Sequence, residues 1–374
     1  MNQQIIRRAF VAATAAMFGA AATAQTVSSE FVVSGDAAAH ILDTTSINLA
    51  TAERITQICE RLATERGVAI SVYVLDNDGN HVYIHRMDGQ VWTNIATAEM
   101  KARTALALRE PSKAQMNRAI RDPNTEWVGM DLGLFANAGG LPIIVNDQLI
   151  GAIGVGGSAP RINEGWSDEL CAHNAMIEVL GPQPPVLEDL PRPRPAPTAP
   201  VPRFRATKVP ESSLPSEWVV SGDAAARIFN ANQISSDAAR RVARSCRNWA
   251  AGRGESMSLF ILAPSGDLVH GERMDGQVSL NMKTALLKAE TALRSRSPTS
   301  ARDAAVKNNR GGFPRVVGLF DFYTEPGGVP IVVDGQMIGA IGVSGMASGE
   351  NEACAAEGLK SVFGNRAAVP VYQQ

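Results

Sequence analysis

Apolar residues recur at three- and four-residue steps at Ile55, Ile58, Cys59 and Leu62, and again at Ala239, Val242, Ala243 and Cys246, a period that predicts an amphipathic helix in each place. Gly67 and Gly254 stand where those helices should stop. The run 68–76 is rich in β-branched residues and is followed by Asn77-Asp78-Gly79-Asn80 and a second extended run to Met87, which predicts a β-hairpin. Pro264-Ser265-Gly266-Asp267 supplies the matching turn later in the chain. A second helix is expected over 94–109, ended by Pro111, with a counterpart over 281–296 ended by Pro298, and less regular sequence follows each. A second hairpin pairs 141–145 with 149–155 around Asn146-Asp147, and Asp334-Gly335 gives its counterpart a stronger turn signal. A last helix, carrying Cys171 or Cys354, closes each set. Helix, hairpin, helix, hairpin, helix leaves no βαβ crossover, so the expected fold class is α+β, an antiparallel sheet flanked by helices.

The pattern is written twice. Phe31-Val32-Val33-Ser34-Gly35-Asp36 returns 187 residues later as Trp218-Val219-Val220-Ser221-Gly222-Asp223, and Arg86-Met87-Asp88-Gly89 returns at the same spacing as Arg273-Met274-Asp275-Gly276. Gly139-Gly140-Leu141-Pro142 returns as Gly327-Gly328-Val329-Pro330, one residue farther on. The period far exceeds that of solenoid repeats, so each copy is long enough to bury a core of its own. Between the copies, residues 182–215 hold eleven of the 21 prolines and read as an extended, exposed spacer. The expected layout is a leader over 1–24, one domain over 25–181, the spacer over 182–215 and a second domain over 216–374.

The leader is read from Arg7 and Arg8 ahead of an apolar run over 9–22 that is too short to span a bilayer. Ala22 and Ala24 give a peptidase-type site that would leave Gln25 first, and the arginine pair also permits twin-arginine export. A formal net charge of -2 offers no basic field for nucleic acid or anionic lipid. A periplasmic or secreted protein without a membrane anchor is expected. In an oxidising compartment the four cysteines, two per copy, suggest Cys59 with Cys171 and Cys246 with Cys354, the alternative being four buried thiols. No cysteine pair has zinc-site spacing and no hydrolase or phosphate-loop motif is present, so no metal site is expected.

Arg-Met-Asp-Gly, Lys101-Ala102-Arg103-Thr104-Ala105 with its partner Lys288-Ala289-Glu290-Thr291-Ala292, Gly-Gly-x-Pro, and Asn351-Glu352-Ala353-Cys354-Ala355 together resemble the GlcG/HbpS-like haem-binding family. The resemblance covers nearly all of both copies, and the first departs from it by about five extra residues within 158–166. It implies a profilin-like fold, oligomers, and in several members haem or corrinoid binding, with haem degradation in some.

A bound haem needs an apolar slot, cations at the rim and, in most sites, an axial donor. The ligand-binding candidates are Arg86, Asp88, Gly89, Lys101, Thr104, Gly139, Gly140 and Pro142, with Arg273, Asp275, Gly276, Lys288, Thr291, Gly327, Gly328 and Pro330 in the second copy. Arginine and lysine would converge on a ligand carboxylate, and the threonines one helical turn on would donate or ligate. The competing reading is structural: Asp88 accepts backbone bonds in a turn, Arg86 pairs with a neighbouring carboxylate, and the lysines lie along a helix face. No histidine recurs between the copies, and His85 is the candidate axial ligand in the first. Without Cys-x-x-Cys-His any haem would be held non-covalently. The leading expectation is an exported protein with two tandem haem- or tetrapyrrole-binding domains. The alternatives are an accessory or small-carboxylate-binding protein of an oxidoreductase system, and an enzyme acting on haem. Two copies in one chain would act as a built-in pseudo-dimer, and a homo-oligomer is the further expectation.

Overall fold

The computed structural model describes residues 27–158, 165–191, 209–308 and 317–369. The leader, the middle of the spacer and most of the extra segment in the first copy lie outside them. The first copy runs α1 (Gly35–Ile41), α2 (Leu49–Thr64), β1 (Ser71–Asp76), β2 (His81–Arg86), α3 (Trp92–Leu108), α4 (Ser112–Arg121), α5 (Asn124–Asp131), β3 (Gly140–Val145), β4 (Gln148–Gly156) and α6 (Asp168–Leu180). The second runs α7 (Gly222–Ile228), α8 (Ser236–Ala251), β5 (Ser258–Leu262), β6 (Leu268–Arg273), α9 (Ser279–Ser295), α10 (Thr299–Lys307), β7 (Gly328–Val333), β8 (Gln336–Ser344) and α11 (Ser348–Phe363). The protein is α+β, an antiparallel sheet flanked by helices. The stretches expected to be irregular after 109 and 296 begin as α4 and α10, because Pro111 and Pro298 start those helices as well as stopping the preceding ones.

Local chemistry fixes the ends. Asn48 and Ser235 turn their side chains onto the backbone amides of Thr51 and Ala238, capping α2 and α8. The β3–β4 turn places Asn146 and Asp147 at φ 49° and 60°, and the β7–β8 turn places Asp334 and Gly335 at 49° and 76°, the left-handed pair that a two-residue hairpin requires.

Among the described residues the strands form one eight-stranded sheet in the order β3-β4-β1-β2-β6-β5-β8-β7, with every pair antiparallel. The two copies meet where β2 pairs with β6, in the register Tyr83 with Glu272, Ile84 with Gly271 and His85 with His270. The outer edges are β3 and β7, and each carries a proline, Pro142 and Pro330, which has no amide to offer a further strand.

Helices α3 and α9 lie on one face, and α2 with α6, and α8 with α11, on the other. The α3 side is unusually close. A Cβ on Gly140 would sit 2.1 Å from the Lys101 carbonyl, and one on Gly154 would sit 1.9 Å from that of Ala98; Gly328 and Gly342 repeat the arrangement. On the opposite face Cys59 is bonded to Cys171 and Cys246 to Cys354, joining the first long helix of each copy to its last. Below α3 and α9 the core is continuous across the join: Tyr73, Leu75, Ile84 and Ile95 pack with Phe260, Leu262 and Met282. Among the described residues no helix is long and apolar enough to cross a membrane.

Candidate functional site

The structure gathers most of the candidate residues into two groups. The Arg-Met-Asp-Gly residues lie at the seam between the copies. Asp88 accepts a hydrogen bond from the Ser236 amide at 2.7 Å, and Asp275 accepts one from the Leu49 amide at 2.9 Å, so each aspartate covers an open helix start in the other copy. Burial raises both carboxyl pKa values, and these amide bonds oppose the rise. A Cβ on Gly89 would press on Ala224 at 3.1 Å, and one on Gly276 on Ala37 at 3.3 Å, so the glycines let the copies approach.

Arg86 Nε donates to the Leu268 carbonyl and its Nη1 to that of Gln90, both at 2.6 Å. Arg273 donates to the Gln277 carbonyl at 3.1 Å and pairs with Asp76 of the first copy at 2.5 Å. The arginines therefore do not converge with the lysines on one cavity; carbonyls and a carboxylate beside the seam take up Arg86 Nε and Nη1 and both terminal nitrogens of Arg273, while Arg86 Nη2 is buried without a hydrogen-bond partner among the described residues. His85 is buried here too. Its Nδ1 contacts Glu60 and Arg240, and its Nε2 donates to the Ser236 carbonyl at 3.2 Å, which leaves neither ring nitrogen free for iron. Burial works to raise the Glu60 pKa, and the neighbouring His85 and Arg240 outweigh it, holding the group at about 2.

The second group gathers where the centre of α3 or α9 meets the Gly-Gly start of the edge strand and the start of the closing helix. Lys101 is buried, and its Nζ donates to the Val155 carbonyl at 2.9 Å and to Asp168 Oδ2 at 2.8 Å. The other Asp168 oxygen accepts from the Ser158 amide and hydroxyl at 2.9 and 2.6 Å. Beside them opens a cavity of about 500 Å³ lined by Met116, Asn137, Ser158, Asp168, Asp189 and Leu190. Lys113 borders this corner, paired with Glu169 and, at 2.9 Å, with Asp189.

The second copy is built differently at the same corner. Asn351 replaces Asp168, and its side chain is occupied with the Met346 backbone amide and carbonyl. Ser300 replaces Lys113 and donates to Glu352. Lys288 is 1% exposed and, among the described residues, forms no ion pair; its Nζ stands 5.7 Å from the centre of the Tyr323 ring. Burial lowers its pKa, an effect that Glu325 and Glu352 offset in part. Gly327 and Gly328 sit directly against it, a Cβ on Gly327 falling 3.1 Å from Lys288 Cδ.

Thr104 and Thr291 belong to neither cavity nor seam. Each accepts a hydrogen bond from a loop amide at 2.8 Å, that of Phe135 or Tyr323, and so anchors the segment leading to the Gly-Gly pair. Gly139 and Gly140 border the Lys101 corner, whereas Pro142 and Pro330 lie farther along the edge strands. The residues that sequence reasoning missed are Asp168, Asn351, Glu60 and Arg240. The sequence sign available for Glu60 was a carboxylate beside Cys59 at the edge of an apolar helical stripe, and for Asp168 its place one turn before Cys171.

Comparisons with known proteins follow the repeat. The family profile described as haem degrading protein HbpS-like matches residues 47–176 and again 234–360. An uncharacterized 15.0 kDa protein of the dhaT-dhaS intergenic region of Citrobacter freundii is 32% identical over 135 residues, 35% of this chain and 90% of its own length. Protein GlcG of Escherichia coli is 37% identical over 89 residues, 24% of this chain and 64% of GlcG. The crystal structure of HbpS aligns at 28% identity and a TM-score of 0.32, over 37% of this chain and 93% of HbpS. With two separate matches that together span more than half of its length, the chain belongs to the HbpS-like family and carries that family's domain in tandem.

Proposed function

We propose that this chain is an exported haem- or tetrapyrrole-binding protein with two tandem binding domains, and that the lysine and glycine corner of each domain receives the ligand. Family membership supports the ligand class. Two formed disulfides support a location outside the reducing cytosol. The observation that carries the reading is Lys288, a buried amine without an ion-pair partner among the described residues, against a strand start made of two glycines. A tetrapyrrole carboxylate would supply the missing charge, and the glycines would let the macrocycle edge approach the backbone. In the first domain Lys101 is already paired, and the adjoining cavity, with Met116 and Leu190 in its wall, falls in the size range of small-molecule sites.

When bound, haem would supply the iron chemistry; the chain's own residues would orient it and balance its carboxylates. The test is a hemin titration of the full chain followed through the Soret band. Saturable red-shifted absorbance is expected, and Lys288→Met should weaken it about tenfold, the equivalent of one charge-assisted hydrogen bond. No Soret shift at any hemin concentration would overturn the reading.

A second reading rests on His85, whose two nitrogens are engaged. Without that axial donor the same corner would serve a small carboxylate, as in an accessory protein of an oxidoreductase system. Thermal stabilisation by small carboxylates together with an unchanged hemin spectrum would favour it.

A further inference from the structure

The reciprocal contacts at the seam describe an approximate two-fold axis between the copies, since what Asp88 and Gly89 do to the second copy Asp275 and Gly276 do to the first. These residues are the same in both copies and would serve any pairing. The positions where the copies differ carry additional information, and from them we infer that the seam joins only unlike halves: the face of the first half fits a second half, of its own or another chain, and rejects a copy of itself.

Shape separates the pairings first. The axis passes between Ile84 and Gly271, which occupy equivalent places in the repeat and face each other across the β2–β6 pair. A Cβ on Gly271 would lie 2.7 Å from the Phe260 ring and 3.3 Å from Ile84 Cδ1, so those two side chains fill the space that glycine leaves. Pairing two first halves in this register would set isoleucine against isoleucine at the axis. Pairing two second halves would set glycine against glycine and leave a gap.

Charge separates them again on the opposite face of the sheet. Glu53 and Glu60 project from α2; the equivalent positions on α8 are Arg240 and Arg247. Arg240 pairs with Glu60, and Arg247 pairs with Glu53 at 2.9 Å and with Glu272 at 3.1 Å. Arg244 adds a longer contact to Glu53 at 3.7 Å, and His270 meets the rings of His85 and Tyr83 edge to face among these groups. The two ion pairs are one reciprocal contact written with the signs exchanged. Two first halves would bring four carboxylates together, and two second halves would bring Arg240 and Arg247 of each together, partly buried and with only their own Glu272 carboxylates to offset them. Shape on one face and charge on the other select the same partner independently.

The test uses the full chain with a specific protease site inserted in the spacer, prepared in light and isotopically heavy forms, cleaved, mixed and weighed by native mass spectrometry. Every two-fragment complex is expected to contain one first half and one second half, including light with heavy. Pairs of two first halves or two second halves in comparable amounts would overturn the inference. A charge exchange gives a second readout. Arg240→Glu with Arg247→Glu should weaken co-elution of the fragments about 100-fold, and adding Glu53→Arg with Glu60→Arg should return it to within about tenfold of the original. A general folding defect would not be rescued by two further substitutions, so failure of the four-residue exchange to restore co-elution also contradicts the inference.

Discussion

Replacing Glu60 by Gln keeps the shape of the side chain and removes the charge that faces His85 and Arg240. Burial alone would disfavour the carboxylate, yet its surroundings hold the group at about 2 against an ordinary 4.5. At about 1.4 kcal/mol per pKa unit, that gap corresponds to about 3 kcal/mol of native-state stabilisation from the ionised form. The sign is that of a carboxylate depressed by folding. The stabilisation is fully present above pH 4.5 and disappears as pH falls toward 2. Urea unfolding of the full chain and of Glu60→Gln, followed by circular dichroism from pH 7 to pH 3, measures it. The variant should be less stable by about 2–3 kcal/mol at pH 7, and the difference should shrink steadily below about pH 4.5. A difference that stays constant over that range, or an equally stable variant at neutral pH, would refute the reasoning.

Gly342→Ala places a Cβ 2.0 Å from the Ala285 carbonyl and should destabilise by about 3 kcal/mol, whereas Gly349→Ala, with nothing within 4 Å, should change stability by about 0.5 kcal/mol or less; chemical denaturation compares the two. Removing the bridge by Cys59→Ser with Cys171→Ser frees a loop closed over 112 residues and should cost about 4 kcal/mol, while a thiol count on the denatured, unreduced parent should find no free cysteine. Asp88→Ala and Asp275→Ala should each cost about 1 kcal/mol through the lost helix-start bond and, being remote from one another, about 2 kcal/mol together, measured by thermal unfolding of the single and double variants.

Much of this architecture is written in local pattern. The 3.6-residue stripe through Ile55 and Cys59, the alternation on either side of Asn77 to Asn80 and the Asp334-Gly335 turn each need only a few neighbouring residues to be read, and each became the expected element. The cysteines paired as the repeat suggested, because equivalent positions in two copies must satisfy the same geometry. The seam was hidden for the opposite reason. An aspartate before glycine looks the same whether it closes its own turn or covers a helix start almost 150 residues away, and Asp88 does the second. His85 read as a candidate axial ligand because nothing beside it in sequence reveals Glu60 or Ser236. Lys101 and Lys288 sit in nearly identical sequence, yet one is paired and the other is not, because the deciding residue is Asp168 in one copy and Asn351 in the other. Local sequence carried the elements, and distant substitutions carried the chemistry.

The central claim is that the Arg-Met-Asp-Gly motif holds the halves together while the lysine and glycine corner receives the ligand. Backbone hydrogen exchange of the full chain with and without hemin, read by peptide mass spectrometry, tests it most directly. Added hemin should slow exchange in peptides covering 284–292 and 323–328 and leave those covering 83–89 and 270–276 unchanged. Protection at the seam peptides with none at the Gly327-Gly328 corner would contradict the account.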